Sequence, residues 1–211
     1  MKKLSLLAIV AASGGSTLLT TGCVDLKSAY PEKRYYSIEA DRTGPARSAA
    51  DGTVLRVRRF SASRSAEGSE FVSRTGDGEY ESDFYNAFFI PPAAQLTEQA
   101  RRWLSRSRLF GTVVATGSSM PETHVLEGNL VALHADRRNR EAPKAVLEAQ
   151  FLVVAVKSDP SSVILEKTYR EEASIAKDDA DSLVRGWREA LSKILAALEE
   201  DVSKVERSTR K

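Results

Sequence analysis

The sequence predicts a single-domain α/β fold of the α+β type: a mixed, largely antiparallel β-sheet packed against a mid-chain helix and a long C-terminal helix. Three observations carry this. From Asp178 onward apolar residues recur mostly every third or fourth position, the period of one helix face. Before that, three long segments rich in apolar and β-branched residues, 123–136, 144–158 and 162–175, are separated by the turn-like "RRNREAP" and "SDPSS". The chain has 211 residues, 42% hydrophobic and 28% charged, and its structured part of about 170 residues suits one core.

In chain order, "MKKLSLLAIVAASGG" sets two lysines ahead of an apolar run, Leu4 to Ala12, too short for a bilayer core that takes about 20 apolar residues. Residues 1–22 read as a secretory signal peptide. At Thr21, Gly22 and Cys23, "TTGC" resembles the four-residue box that ends a lipoprotein signal, with Thr20 where such boxes usually carry Leu. A signal-peptidase junction between Gly22 and Cys23 would leave Cys23, the only cysteine, as the lipid-bearing N-terminus. Stable anchoring takes at least two acyl chains, and a bacterial lipoprotein typically carries three. The plain alternative is an incidental Cys23, lost with a signal cut elsewhere or left as a free thiol, a liability in an oxidising compartment. Val24 favours the outer membrane, since an Asp directly after the cysteine resembles an inner-membrane retention signal; here Asp25 comes one place later.

Residues 23–33 form the lipidated N-terminus and a polar tether holding the domain off the membrane. The domain then runs from 34 to 206, with 207–211 a polar tail. "RYYSIEA", 34–40, is the first strand, and "DRTGPARSAADG" is a loop. In "TVLRVRRF", 53–60, Thr53, Leu55, Val57 and Arg59 alternate onto the more buried face. "SEFVSRTGDGEYESDFYNAFF" is a hairpin turning at Asp77 and Gly78, both expected at positive φ. Pro91 and Pro92 open a helix over about 92–106, with Leu96, Ala100, Trp103 and Leu104 on its apolar face. "LFGTVVAT" is a further strand, and the three long segments after it pair as successive antiparallel strands. In "AVLEAQFLVVAV", Leu147, Ala149, Phe151 and Val153 make one wholly apolar face. The C-terminal helix, of about 25 residues by its periodicity, lays Leu183, Val184, Trp187, Leu191, Ile194, Leu195, Leu198, Val202 and Val205 over that face.

Little catalytic chemistry is on offer. Two His and one Cys leave few residues for metal sites or triads, and no P-loop, G-x-S-x-G elbow or H-E-x-x-H occurs. We therefore expect no enzyme, no catalytic, cofactor-binding or metal residues, and no cofactor. With Lys2 and Lys3 set aside, 29 basic residues balance 29 acidic ones, which argues against a nucleic-acid partner. His124 and His134 stand ten residues apart on one predicted strand, about 33 Å, too far to share a metal. Asp77, Glu79, Glu81 and Asp83 alternate along a strand and read as a solvated face, because a cation site needs converging oxygens. Tyr80, Phe84, Tyr85, Phe88 and Phe89 read first as core, the alternative being a lipid-facing or partner-facing rim.

The order of Cys23, a tether, "RYYSI", "LRVRRF", "NAFFIPPAAQLTEQARRWLSRSRLFGTVV", "HVLEGNLVALHAD", "AVLEAQFLVV" and the C-terminal helix resembles the auxiliary lipoproteins of ABC-type transport systems. That family includes the paraquat-inducible lipoprotein and partners of MCE proteins. Tyr35 and Tyr36 match its opening tyrosine pair, Phe110 and Val113 its "F..V", and Leu126, Gly128 and Leu130 its "L.G.L"; Phe88 and Phe89 stand where many members have a Trp. The resemblance, over residues 34–203, implies a non-catalytic docking or adaptor subunit on the periplasmic face of the outer membrane. Its partners would be an MCE-domain protein with its ABC permease and ATPase, together moving lipids or other hydrophobic compounds between the membranes. A homo-oligomeric ring would suit a ring-forming partner. Two alternatives stay open: a structural or assembly lipoprotein of the outer membrane, and an anchored hydrolase or small-ligand binder, which would need an enclosed pocket.

Overall fold

The computed structural model describes residues 32–48, 50–156 and 161–209; the signal 1–22, most of the tether and the last two residues lie outside them. In chain order the elements are β1 (Arg34–Tyr36), β2 (Ala50–Val57), β3 (Ser61–Ala62), β4 (Glu70–Arg74), β5 (Tyr80–Phe88), α1 (Pro92–Ser107), β6 (Phe110–Ala115), β7 (His124–Asp136), β8 (Lys144–Ala155), β9 (Ser162–Ser174) and α2 (Ala180–Thr209).

Strands β7, β8 and β9 pair antiparallel in succession, as their alternation and turns predict. The other edge of β7 is divided: β2 lies against His124–Leu126, β3 against Asn129–Leu130 and β4 against Ala135–Asp136, all parallel to it. From there the sheet forks, with β6 parallel on β2, β5 antiparallel on β4, and β1 parallel on β5. The sheet is thus mixed, and its long pairings are antiparallel. Hairpin logic did not anticipate the short parallel ones. They follow from crossovers, since a chain leaving β2 can return as β6 in the same direction only through an intervening segment, here the one containing α1.

The predicted face of β8 is the floor of the core. Leu147, Ala149, Phe151 and Val153 are all buried, and so are the apolar residues of α2 named for its inner stripe from Leu183 to Val202, while Val205 near its end is half-buried. At 30 residues α2 is longer than its periodicity suggested, about 45 Å at 1.5 Å per residue. Asp179 starts it by accepting the Ser182 amide at 2.7 Å, a capping bond to an otherwise orphan donor. At Gly186 a Cβ would stand 2.6 Å from that of Ala145, so the helix backbone rests directly on β8 there. Alanine, the better helix former, is excluded by that approach.

Helix α1 begins with Pro92 and buries Leu96, Ala100, Trp103 and Leu104 as expected. The first strand is shorter than its composition suggests. Beyond Tyr36 the chain leaves the sheet, and the buried side chains of Gln95 and Gln99 on α1 accept the amides of Ile38 (2.6 Å) and Ala40 (3.1 Å). Backbone donors must be satisfied somewhere, and here a helix does the work of a neighbouring strand. Strand β2 starts at Ala50 and stops at Val57, so Arg59 is exposed and Phe60 turns inward. The Phe60 ring lies over Gly128, where a Cβ would come within 2.8 Å of it; the glycine of "L.G.L" makes room for an aromatic ring. In the β4–β5 turn Gly78 has φ 77°, but Asp77 does not share the positive φ expected for it.

Candidate functional site

Gly22 and Cys23, the predicted junction and lipid-attachment residues, lie outside the described residues. Ten residues further on, Lys33 leads into β1, whose partner is β5. Strand β5 is where the structure departs most from expectation. On β4, Glu70 faces Ala87 but the next residue, Phe71, already faces Asp83, so Phe84, Tyr85 and Asn86 are looped out as a bulge. Asp83 holds the loop: its carboxylate accepts the amides of Tyr85 (2.8 Å) and Asn86 (3.2 Å) and the Asn86 side-chain amide (2.8 Å).

This corrects the reading of the aromatic cluster as core. Of its five members only Phe88 is buried, packed with Phe71 and Trp187. Phe84 is 70% exposed and Phe89 73%, with Tyr80 and Tyr85 also exposed. Period-two alternation would have sent Phe84 to the same face as Phe88, but the bulge between them breaks the phase. Phe84 and Tyr85 stack edge to face, ring centroids 5.4 Å apart, and the Lys33 ammonium sits 5.3 Å from the Phe84 centroid. Tyr35, 60% exposed, and Ile90 are the neighbouring apolar side chains on β1 and after β5. The result is an exposed aromatic face beside the N-terminal strand, and monomeric proteins seldom leave such a patch without use.

The acidic row fares as predicted in part. Glu79 and Glu81 are exposed, while Asp83 is turned aside to hold the bulge. Among the described residues no three His, Cys, Asp or Glu converge as a metal group. The two histidines occupy opposite ends of β7. His124 pairs with Glu206 at 3.0 Å and its ring stacks on Phe110. His134 is buried at right angles to the Tyr80 ring, and its Nε2 has no hydrogen-bond partner among the described residues.

Burial lowers the His134 imidazole pKa, reinforced by Arg170, Arg74 and Arg138 and opposed by Asp136. The charged form is therefore disfavoured in the folded state. The stability this residue permits is present above its unfolded pKa of about 6.5 and declines as pH falls below that value. Urea midpoints measured from pH 8 to 5 should fall below about pH 6.5 in the wild type, and His134→Leu should flatten that limb. An unchanged limb in the variant would assign the acid sensitivity to other groups.

Sequence reasoning missed one polar cluster. The 41–48 segment is fastened to both helices by Glu199, which takes two hydrogen bonds from Arg42 (2.8 and 2.9 Å), one from Arg47 (2.7 Å) and one from the Trp103 indole (2.8 Å). A signal existed: Glu199 falls within the apolar stripe of α2, beside Leu195, Leu198 and Val202, and an acid there is rarely buried unless paired.

Between helices and sheet the space is filled. The void lined by Ile38, Leu96, Leu133, Leu147 and Leu191 measures about 10 Å³, smaller than a ligand needs. A depression of about 300 Å³ on the outer face, lined by Ser61, Glu127, Asn129, Gln150 and Glu166, is open to solvent. No described helix is long and apolar enough to cross a membrane.

The fold and this surface define a class: a two-layer α+β domain with a forked mixed sheet, a long helix over one face and an aromatic edge next to its N-terminal strand. Similar solved structures include a Xanthomonas campestris protein of the family DUF330, with TM-score 0.67, 16% identity, and coverage of 82% of this chain and 95% of that one. An uncharacterized protein has TM-score 0.64, 17% identity, and coverage of 81% and 99%. A hypothetical protein from Chlamydia trachomatis follows at TM-score 0.51, 13% identity, and coverage of 71% and 97%. At these identities the likeness is one of fold. No family model and no curated protein matches the chain.

Proposed function

We propose that this protein is a lipoprotein anchored through Cys23 to the periplasmic face of the outer membrane. There it serves as a docking subunit of an ABC/MCE-type transport system that moves lipids or other hydrophobic compounds between the membranes. One observation carries the docking role. Trp187, Phe151 and the leucines of α2 fill the space between helices and sheet, where the void lined by Leu96, Leu133 and Leu191 among the described residues is about 10 Å³; layers packed this closely favour a domain that works through its surface. The order of motifs from Tyr35 to Val202 supports the same reading, as does a net charge close to balance.

The test is co-purification from native envelopes. The tagged full chain should recover an MCE-domain protein with its permease and ATPase. Cys23→Ser should abolish acylation and shift the chain to the soluble fraction. Recovery of no such partner from intact envelopes would leave an anchored structural lipoprotein as the better description.

A further inference from the structure

The aromatic face lies beside β1, the first described strand. Lys33, directly before β1, stands over the Phe84 ring, and Tyr35 is the middle residue of β1. Ten peptide steps separate Cys23 from Lys33, about 35 Å at full stretch. Whatever surface holds Cys23 therefore lies within that reach of Lys33, whose ammonium stands over Phe84. The two cations beside it are matched: Lys33 with Glu70 at 3.5 Å, and Arg34 with Asp181 at 3.1 Å. The exposed acids Glu79 and Glu81 stand at the other end of β5, by the hairpin turn. The face thus offers the rings of Phe84 and Tyr85 on a looped-out bulge beside Tyr35, Phe89 and Ile90; the Asp83 carboxylate in the bulge is held by three N–H donors, and Glu32, before Lys33, is exposed. Tyr35 and Tyr85, each with an apolar ring and a polar end, suit the boundary between headgroups and acyl chains, and Phe84, Phe89 and Ile90 add exposed apolar surface beside them.

We propose that Tyr35, Phe84, Tyr85, Phe89 and Ile90 rest in the headgroup region of the phospholipid bilayer that carries the Cys23 anchor, fixing which way the domain faces. This rests on the anchored reading above. Because the contact is apolar, it should be nearly indifferent to salt.

The experiment uses the full acylated chain in phosphatidylethanolamine/phosphatidylglycerol vesicles containing brominated phosphatidylcholine, which quenches indoles near the bilayer. Trp103 and Trp187 are buried in the domain and give a constant background. The variant F89W should lose most of its added emission, in low and high salt alike. M120W, on the turn before β7 at the far end of the sheet, should keep its own. Adding Phe84→Ser to F89W should restore emission while the chain still floats with the vesicles. Near-UV circular dichroism verifies that each variant is folded. A chain that floats while F89W and M120W are equally bright overturns the inference and leaves the anchor standing. Protection of F89W that appears only with rising protein concentration, or only on adding a partner protein, also overturns it by assigning the face to a second copy or to that partner. A chain that fails to float, and behaves like Cys23→Ser, removes the anchored reading and this inference with it.

Discussion

Trp187→Ala is expected to destabilise the fold by about 3–5 kcal/mol, the range for removing a large aromatic ring from a packed core. The indole is fully buried, meets Phe71 edge to face at 4.9 Å and Phe88 at 5.3 Å, and donates to the carbonyl of Val146 at 3.2 Å. Val146 and His134 face one another across β7 and β8, so the indole lies against the join of those strands. Relaxation into the cavity is restricted from both sides: Gly186 already sets the helix on Ala145, and Phe71 and Phe88 are held by the β4–β5 hairpin. Trp187→Phe keeps most of the volume and loses the hydrogen bond, so about 1–2 kcal/mol is expected of it. Urea unfolding at constant slope gives both numbers. A loss below about 1.5 kcal/mol for the alanine variant would mean the site collapses freely, against the packing described.

Glu199→Ala should cost a similar amount, about 3–5 kcal/mol, because it removes one partner of a buried ionic cluster and leaves the others charged. The Arg42 and Glu199 side chains are only 7% and 6% exposed. Replacing the pair together, as Arg42→Met with Glu199→Leu, should cost markedly less than Glu199→Ala alone, since a buried ion pair can often be exchanged for apolar groups. If the double variant is the less stable one, the cluster is net stabilising and not merely self-compensating. The pH dependence has a definite sign. Burial would raise the Glu199 carboxyl pKa, but hydrogen bonds from Arg42, Arg47 and Trp103 outweigh it and hold it below the usual carboxylate range. Its contribution is therefore complete above the unfolded carboxylate pKa and is lost as pH falls through the lower, folded value. In Glu199→Ala the stability profile below about pH 4.5 should be flatter than in the wild type.

These two sites differ in how far they could be read from the sequence. Trp187 stands on the helical period of α2, so its burial follows from spacing alone. Glu199 stands on the same stripe, but its partners Arg42 and Arg47 lie more than 150 positions away in a segment that reads as loop. Gln95 and Gln99 repeat the lesson on α1: they share the apolar side of the helix because they complete the backbone bonding of Ile38 and Ala40, which no local pattern reveals. The aromatic face was hidden for a different reason. Alternation along β5 assumes one residue per pleat, and the bulge at Phe84–Asn86 breaks that count.

From the sequence alone came the elements set by local physics: both helices, the three long antiparallel strands, the hairpin at Gly78, the apolar floor of β8 and the expectation of an anchor at Cys23. Each depends on a period of 2 or 3.6, a turn residue or a short motif, all carried by neighbours in the chain. Only the tertiary structure decided the division of one edge of β7 among β2, β3 and β4, the closing of the core to about 10 Å³, the Glu199 cluster, and the turning outward of Phe84 and Phe89. Those depend on which distant segments meet, and a backbone donor, a buried charge or an aromatic ring is satisfied by whatever the fold brings to it.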